Sequence, residues 1–156
     1  MGDITTMHNQ EITKNRDAIQ SMALMLKDKV ETGELQSQDC PVTHRFTKGC
    51  YLREILMPAG TRIIGKIHAT EHFNILLTGK VTVVTAEGSE YIEAPYTFVS
   101  KAGVQKVVFI HEDCLWQTVH VTDKTDLDEI EKEVIVESYD QLLIDGLLSN
   151  GLGVLK

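Results

Sequence analysis

Histidine and lysine side chains that could carry chemistry are concentrated between residues 60 and 85. Side chains of a strand alternate between its two faces, so Ile64, Lys66 and His68 would share one face. That face begins apolar and becomes polar, which is typical of a strand that passes from a packed core into a polar pocket. Neutral imidazole is a common metal ligand and a proton carrier near pH 7, which makes His68 the strongest single candidate. The alternative is a hydrogen-bonded histidine of the core.

Three further histidines are weighed against this position. His72 lies four residues beyond His68, past a predicted bend. It could lie beside His68 at a distance suited to a shared ligand, or it could cap a turn. His111 precedes an acidic turn and is predicted to be exposed, and His44 precedes the main strands, so both are weaker candidates.

The last predicted strand leads to the same candidate site. One of its faces would hold Cys114, Trp116, Thr118 and His120. If this face points inward, Trp116 forms an apolar wall and His120 forms a polar end of the pocket. Alternatively, the large Trp116 ring simply fills the interior.

Composition limits the classes of function. A chain of 156 residues with 42% hydrophobic and 24% charged residues predicts one globular domain. The formal net charge of −8 argues against non-specific nucleic-acid binding, but not against an anionic ligand held by a few buried cations. Three cysteines without metal-like spacing, together with an N-terminus unlike a secretory signal, predict reduced thiols and a cytoplasmic location. No apolar run approaches the roughly 20 residues of a membrane span.

A helix is predicted at the start of the chain, over residues 9–30, because apolar residues recur at helical spacing. Gly33 is the predicted stop. Either this helix packs on its own domain, or it is an arm that docks on a second subunit. A polar linker follows it.

Short strands separated by glycine and proline turns predict a β-sandwich or barrel from about residue 42 to residue 121. Thr78-Gly79-Lys80 is predicted to be a tight turn between two strands, and residues 86–89 are predicted to form a hairpin loop. Separate strands are predicted over residues 105–110 and 114–121, on either side of Glu112-Asp113.

The C-terminal part is predicted to be helical. A helix opens after Asp126, with Asp126 or Thr125 as its cap. A second short helix is predicted over residues 137–144. The apolar tail over residues 146–156 is expected to lie along this barrel or along a neighbouring one.

Six segments of the chain resemble, in this order, a group of small cupin-like proteins encoded by tailed phages and prophages. The segments are Cys40-Pro-Val-Thr-His44-Arg-Phe, Tyr51-Leu-Arg53-Glu54, Pro58-Ala-Gly60-Thr, Gly65-Lys-Ile-His68, Glu71-His72-Phe-Asn74 and Glu112-Asp113-Cys-Leu-Trp116-Gln-Thr-Val-His120. The resemblance covers about residues 38–140.

The resemblance implies an all-β jelly roll, the cupin barrel of the RmlC type, with an N-terminal helix and a short C-terminal helical segment. Residues 1–37 would form the helical arm and linker, residues 38–122 the barrel, and residues 123–156 the C-terminal helix and tail. A homodimer is expected, since cupin barrels commonly dimerise. The resemblance implies no particular reaction, because one fold hosts many functions.

The resemblance also places residues in the slots of the two cupin motifs. In the first motif Lys66 and His68 stand in the two histidine slots, His72 stands in the acidic slot, and Gly79 closes the motif. In the second motif Lys106 stands in the slot of the metal-binding histidine. Lysine is a poor metal ligand, because it must first lose its proton, so these substitutions weigh against a bound metal.

The leading hypothesis is therefore a phage-type accessory protein that binds a small polar or anionic molecule in the barrel, without clear catalysis. Lysine and histidine side chains suit a carboxylate or a phosphate. The predicted ligand-binding residues are Lys66, His68, His72, Asn74, Lys106, Trp116 and His120. A simpler interpretation is that both lysines extend to the mouth of the barrel and pair with Glu54 or Glu71.

Two further hypotheses remain open. In the first, His68, His72 and His120 hold a divalent Zn, Fe or Mn ion, and a bound water carries out hydrolysis or isomerisation. In the second, the barrel is a structural module, and the N-terminal helix and apolar tail form subunit or virion contacts. No cofactor is implied beyond this metal.

Overall fold

The computed structural model describes residues 4–35 and 40–136, with side chains from residue 15 onward. This part of the chain holds two helices, α1 (Ile4–Glu31) and α2 (Leu127–Val134). Its strands are β1 (Val42–Thr47), β2 (Cys50–Met57), β3 (Arg62–Ile64), β4 (Ile67–His68), β5 (His72–Thr85), β6 (Gly88–Glu93), β7 (Tyr96–Ser100), β8 (Val107–His120) and β9 (Ile135–Val136). The predicted all-β fold with a helix on either side is confirmed.

The main sheet is built on the long antiparallel pair of β5 and β8. Its strand order is β1-β2-β8-β5-β6, with β3 also paired to β8 and β7 also paired to β5. Strands β4 and β9 form a separate two-stranded ladder. Because β5 and β8 run in opposite directions, the first residues of β5 lie beside the last residues of β8, and Phe73 is opposite Val119.

The inward faces of these strands enclose an apolar core at one end of the barrel. Its buried members are Met57, Leu76, Val81, Val83, Ile92, Val108, Ile110, Cys114 and Trp116. The predicted inward face of the last strand is confirmed, since Cys114, Trp116 and His120 are buried and Thr118 is half-buried. The core therefore occupies the middle and one end of β5 and β8, and leaves their other end to polar side chains.

The predicted tight turn at Gly79 is wrong, because β5 continues through it as one strand of 14 residues. The pairing of β5 with β8 shifts register between Leu76 and Val81. Before this bulge the buried residues are His72, Asn74 and Leu76, and after it they are Val81 and Val83. An extra residue changes which face points inward. The sequence signals of a turn and of a bulge are alike here, since both place glycine at positive φ.

The predicted break at Glu112-Asp113 is also wrong. Strand β8 runs through it without interruption, as a second strand of 14 residues. Lys80 is opposite Glu112 in the register and forms an ion pair with it at 3.0 Å. Asp113 accepts a hydrogen bond from the backbone N–H of Ala59 at 2.8 Å. The acidic pair is therefore held by Lys80 of the facing strand and by the turn between β2 and β3, which local sequence does not reveal.

The N-terminal helix packs on its own barrel. Ile19 and Leu26 are buried against Val107 of β8, with Met22 and Phe109 beside them. Gly33, at φ 82°, follows the end of the helix as predicted. Neither helix of the described residues combines the length and apolar character that crossing a membrane requires.

The C-terminal helix α2 covers the polar end of the barrel. Asp126 caps it by accepting a hydrogen bond from the backbone N–H of Glu129 at 3.0 Å, which confirms the predicted cap. Ile130 and Val134 are buried against Tyr51 of β2. The predicted helix over residues 137–144 and the apolar tail over residues 146–156 lie outside the described residues.

Candidate functional site

A cavity of about 450 Å³ lies at the polar end of the barrel, between β2, β5, β8 and α2. Its lining includes every predicted ligand-binding residue: Lys66, His68, His72, Asn74, Lys106, Trp116 and His120. Binding pockets of this size commonly accommodate small organic molecules. The structure thus brings these side chains to one place, and their role in binding stays a prediction.

Three histidines from three strands pack together in this cavity. The ring centroids of His68 and His72 are 4.3 Å apart, those of His72 and His120 are 4.7 Å apart, and those of His68 and His120 are 5.7 Å apart. His72 opens β5 and His120 closes β8, so antiparallel pairing places them side by side. His68 joins them from β4, which β9 holds in place through the pairing of His68 with Ile135.

Burial keeps all three imidazoles neutral. It lowers the pKa of His68 to about 2, helped by the neighbouring His72 and Lys106. Burial also lowers the pKa of His72 to about 4 and that of His120 to about 4. Neutral imidazole carries one N–H donor and one lone-pair acceptor. At neutral pH the cluster therefore offers both kinds of hydrogen-bonding group.

Each histidine has one buried ring nitrogen without a hydrogen-bond partner among the described residues. These atoms are Nδ1 of His68, Nε2 of His72 and Nδ1 of His120. In His72 the other nitrogen, Nδ1, lies 3.2 Å from the carbonyl oxygen of Thr70 and donates its hydrogen to it. Its Nε2 is then the unprotonated nitrogen. Leaving such a group unpaired costs about 1–3 kcal/mol, so a polar ligand that pairs with these atoms is favoured.

The histidine cluster predicts a loss of stability in mild acid. The pKa of each ring is lower in the folded protein than in the unfolded chain, so the unfolded chain binds more protons below about pH 6.5. We expect the free energy of unfolding to fall from pH 6.5 towards pH 4, by up to about 1.4 kcal/mol per pH unit for each histidine. Urea denaturation at a series of pH values measures this slope.

Single substitutions assign the slope to the cluster. We expect His72→Phe to reduce the slope of unfolding free energy against pH by the equivalent of about one bound proton, since one titrating ring is removed. The same change at His111, which is exposed and hydrogen-bonded to Thr82 at 2.6 Å, is the control. Equal flattening by both variants would contradict the assignment.

The two lysines of the motif slots have different environments. Lys66 lies at the cavity mouth, with 64% of its side chain exposed, and forms an ion pair with Glu131 of α2. The predicted pairing of a lysine with Glu54 or Glu71 is therefore replaced by pairing with Glu131. Lys106 is buried, with only 8% of the residue exposed. Gly65 and Lys66 lie between β3 and β4, outside both strands, so strand alternation does not fix the direction of the Lys66 side chain.

Lys106 lies in the cavity without a counterion from the part of the chain that the structure describes. No acidic side chain of the described residues forms an ion pair with it, and burial lowers its pKa to about 8. Arg53 of β2 lines the same cavity and likewise has no acidic partner in the described part of the chain. Both cations help to lower the pKa of His120, which places them around the histidine cluster.

The charges in the cavity wall are unbalanced. Among the described residues that line it, three positive side chains, Arg53, Lys66 and Lys106, face a single negative one, Glu131, which Lys66 already engages. The whole chain, by contrast, has a formal net charge of −8. A local excess of positive charge inside an acidic protein favours an anionic ligand.

Asn74 and Trp116 form part of the cavity wall, and their polar groups are hydrogen-bonded within the protein. The Asn74 side chain donates to Ser100 Oγ at 2.9 Å, and its oxygen accepts from the indole N–H of Trp116 at 3.1 Å. Asn74 is only 1% exposed, so these bonds fix a fully buried amide. Trp116 also packs edge-on against Phe98, at 5.8 Å between ring centroids. Both residues line the cavity, and their polar atoms are already paired.

Sequence reasoning missed Tyr51 and Arg53 as cavity residues and ranked His44 low. The Tyr51 ring lies between those of His44 and His120, at centroid distances of 5.8 and 5.9 Å. The Tyr51 hydroxyl is 2.6 Å from Nδ1 of His44. Ring contacts therefore connect His120 in the cavity, through Tyr51, to the exposed His44. The available signal was the alternation of Tyr51, Arg53, Ile55 and Met57, which share the cavity face of β2.

Two observations weigh against a resident divalent metal in this cavity. Within residues 15–35 and 40–136, whose side chains the structure describes, no three His, Cys, Asp or Glu side chains are arranged to hold a metal ion. The unpaired charges of Lys106 and Arg53 would oppose a dication beside the histidines. Metal binding by His68, His72 and His120 stays a prediction, and elemental analysis of protein purified without a histidine tag tests it.

The strand order and the cavity at one end of the barrel define the class of fold, a cupin-type jelly roll. Solved structures with this fold include ectoine synthase from P. lautus, at a TM-score of 0.52 and 11% identity over 67% of this chain and 81% of that chain. Salicylate 1,2-dioxygenase from Pseudoaminobacter salicylatoxidans, with gentisate, matches at a TM-score of 0.52 and 11% identity over 74% of this chain. This chain covers only 34% of that dioxygenase.

A third similar structure is an RmlC-like cupin family protein with a double-stranded β-helix fold from Methanocaldococcus jannaschii, at a TM-score of 0.48 and 11% identity over 56% of this chain and 84% of that chain. No family model and no curated protein sequence matches the chain. At these identities the similarity shows the fold alone.

Proposed function

We propose that the protein binds a small anionic molecule in the cavity at the polar end of its barrel. The observation that carries this proposal is Lys106, a buried ammonium that no acidic side chain of the described residues balances. Holding a charge away from water without a partner costs several kcal/mol. A bound carboxylate or phosphate offsets that cost and pairs with Arg53 as well. The phage-type accessory role is part of the proposal and comes from the sequence resemblance.

The neutral histidines complement the two cations. A carboxylate accepts hydrogen bonds, and a second polar group on the ligand can donate to the unpaired nitrogen of His72. The indole of Trp116 and the side chain of Val108 supply apolar wall on the same cavity. A small molecule with one anionic end and a compact apolar or polar body meets all of these groups at once.

Reversal of the Lys106 charge tests the proposal. Ligands that copurify with the protein are identified by native mass spectrometry, and inorganic phosphate, pyruvate and lactate are titrated calorimetrically. We expect Lys106→Glu to weaken anion binding by about 100-fold, because a repulsive charge replaces a buried attractive one. Unchanged affinity would remove the anion site.

Lys48→Glu is the matched control, because it makes the same charge change at an exposed turn outside the cavity. Long-range attraction between exposed charges is screened by salt within about 10 Å. We therefore expect the control to change the affinity by less than about twofold at physiological ionic strength. Equal losses in both variants would indicate a general charge effect rather than a site.

We also propose that the protein forms a homodimer through the outer face of the sheet. Apolar side chains form a continuous row across four paired strands there: Val99 of β7, Phe73 of β5, Val119 of β8 and Leu52 of β2. Phe73 is 53% exposed and Val99 is 45% exposed. An exposed apolar row of this kind can pair with a second copy of itself about a twofold axis.

The mass in solution tests the homodimer. We expect the wild type to have the mass of a dimer by light scattering, and Phe73→Glu to shift it to the monomer, because a charge on the row opposes burial. Ser89→Glu, at an exposed position of β6, a strand that does not contribute to the row, is the control. A wild type that is monomeric at high concentration would contradict the proposal.

A further inference from the structure

The amine of Lys106 differs from those of the other described lysines that line the cavity or pair with acids. Lys66, Lys80 and Lys124 are each held by a glutamate in an ion pair. Lys106 has no such partner, and its side chain has no hydrogen bond to another described residue. Only its backbone is held, through the carbonyl oxygen that accepts from the N–H of Gly65 at 2.8 Å. The amine is therefore free to meet a ligand inside the cavity.

Burial also makes this amine a nucleophile at neutral pH. With a pKa of about 8, roughly a tenth of Lys106 is uncharged at pH 7, against well under a thousandth for an ordinary lysine. A desolvated lysine with a lowered pKa is the form that reacts with carbonyl groups. Exposed lysines paired with glutamate lack this property, because the ion pair holds the proton in place.

We propose that Lys106 forms an imine with the carbonyl carbon of a small 2-oxo acid whose carboxylate pairs with Arg53. This inference rests on the proposed function, because it concerns the same cavity and the same anionic end of the ligand. It adds the class of the ligand, a carbonyl compound, and a covalent bond to a named atom, Nζ of Lys106.

The step needs no oxidant, reductant or further reactant. The lone pair of Lys106 Nζ attacks the carbonyl carbon, the C=O π bond breaks, and one amine proton passes to the oxygen to give a carbinolamine. The nitrogen lone pair then expels the hydroxyl group, which leaves as water after taking one more proton. Overall, one amine and one carbonyl group are converted into one imine and one water molecule.

The histidine cluster supplies the proton transfers. Nε2 of His72 is unprotonated and has no partner among the described residues, so it can accept the amine proton and return it to the leaving hydroxyl. Lys106 lies close enough to His72 and His68 to lower the pKa of both. Arg53 and Lys106 both lower the pKa of His120, so both cations border the histidine cluster, and Arg53 can pair with the carboxylate that is bonded to the reacting carbon.

Reductive trapping tests the imine. The full-length protein is incubated with pyruvate and sodium cyanoborohydride, and its intact mass and tryptic peptides are measured. We expect one carboxyethyl group per chain, carried by Lys106. We expect the modification to disappear in Lys106→Arg, which keeps the positive charge without a nucleophilic amine, and to persist in Lys48→Arg.

The wild type alone also decides the question, so a poorly folded variant does not prevent a result. We expect the rate of trapping at Lys106 to rise with pH and to be half-maximal near pH 8, because the neutral amine reacts. Adducts spread evenly over exposed lysines, or no adduct at Lys106, would overturn the inference.

Two comparison ligands separate this inference from the proposed function. Lactate has the charge and size of pyruvate but a hydroxyl group in place of the ketone, and propanal has an aldehyde group but no carboxylate. Binding of lactate together with failure of pyruvate to modify Lys106 overturns the imine and supports the anion site. Modification of Lys106 by propanal as readily as by pyruvate, without lactate binding, overturns both the anion site and the 2-oxo acid.

Discussion

Gly79→Ala is expected to lower the free energy of unfolding by about 4 kcal/mol, a large share of the 5–15 kcal/mol of a typical domain. Gly79 has φ 102°, where a side chain is strained by about 1–3 kcal/mol. A Cβ atom there would lie 2.7 Å from the carbonyl oxygen of Asp113 and 2.7 Å from Cα of Cys114. Both are backbone atoms of β8, so the overlap can be relieved only by moving the central strand pair.

Urea denaturation measures the loss, and Gly60→Ala is the matched control. Gly60 has φ 87°, but a Cβ atom there would meet nothing within 4 Å. The control therefore isolates the backbone strain, and we expect it to cost about 1 kcal/mol. Equal effects of the two substitutions would show that the close approach of β5 to β8 is not rigid.

The bulge at Gly79 also determines which side chains of β5 face the cavity. His72 and Asn74 precede the bulge and face the cavity, whereas Val81 and Val83 follow it and face the core. Without the bulge, one of the two sets would have to point outward, because side chains alternate strictly along a regular strand. We therefore expect Gly79→Ala to weaken anion binding as well as to destabilise the fold.

One part of the site can be predicted from alternation along an uninterrupted strand alone. Trp116 and His120 are two positions of one face of β8, and both line the cavity. His72 and Asn74 follow the same rule at the start of β5. Local patterning suffices for these residues, because nothing interrupts the strand between the members of each pair.

The sequence could not distinguish Lys66 from Lys106. Both were predicted to lie in the pocket, yet one is exposed at the mouth beside Glu131 and the other is buried. The difference arises from a break between β3 and β4 and from a helix that lies more than 60 residues away in the chain. Such pairings are set by tertiary structure, so no spacing rule reports them.

Dependence on tertiary structure also explains why the β2 residues were missed and why β8 was predicted as two strands. Tyr51 and Arg53 were part of a recognised segment, but their face was not identified until β2 was paired with β8, where Tyr51 is opposite His120. The break predicted at Glu112-Asp113 rested on local acidity. It failed because Lys80, on the facing strand, compensates Glu112.

Lys106→Met is expected to stabilise the ligand-free protein while it abolishes anion binding. Methionine has a similar length and no charge, so the substitution removes the cost of keeping an ammonium away from water. The pKa of Lys106 falls from its ordinary 10.5 to about 8 on folding, which corresponds to about 3 kcal/mol at neutral pH. We expect most of this amount as a gain in the free energy of unfolding, measured by urea denaturation at pH 7 after ligand removal.

The dependence on pH identifies the source of that gain. Because folding lowers the pKa, the unfolded chain binds more protons between pH 8 and pH 10.5, and the stability of the wild type rises across this window. The penalty is fully present below pH 8 and is relieved as the amine loses its proton. We therefore expect the difference in stability between Lys106→Met and the wild type to shrink from about 3 kcal/mol at pH 7 towards zero near pH 10.5.

Lys48→Met, at an exposed turn, is the control for the loss of one positive charge. We expect it to leave both the stability and the affinity for phosphate and pyruvate nearly unchanged, since an exposed charge is hydrated in both states. A destabilised Lys106→Met protein would mean that the ammonium has a partner in the ligand-free state. The cavity would then already be electrostatically satisfied, and an anion would gain nothing by entering it.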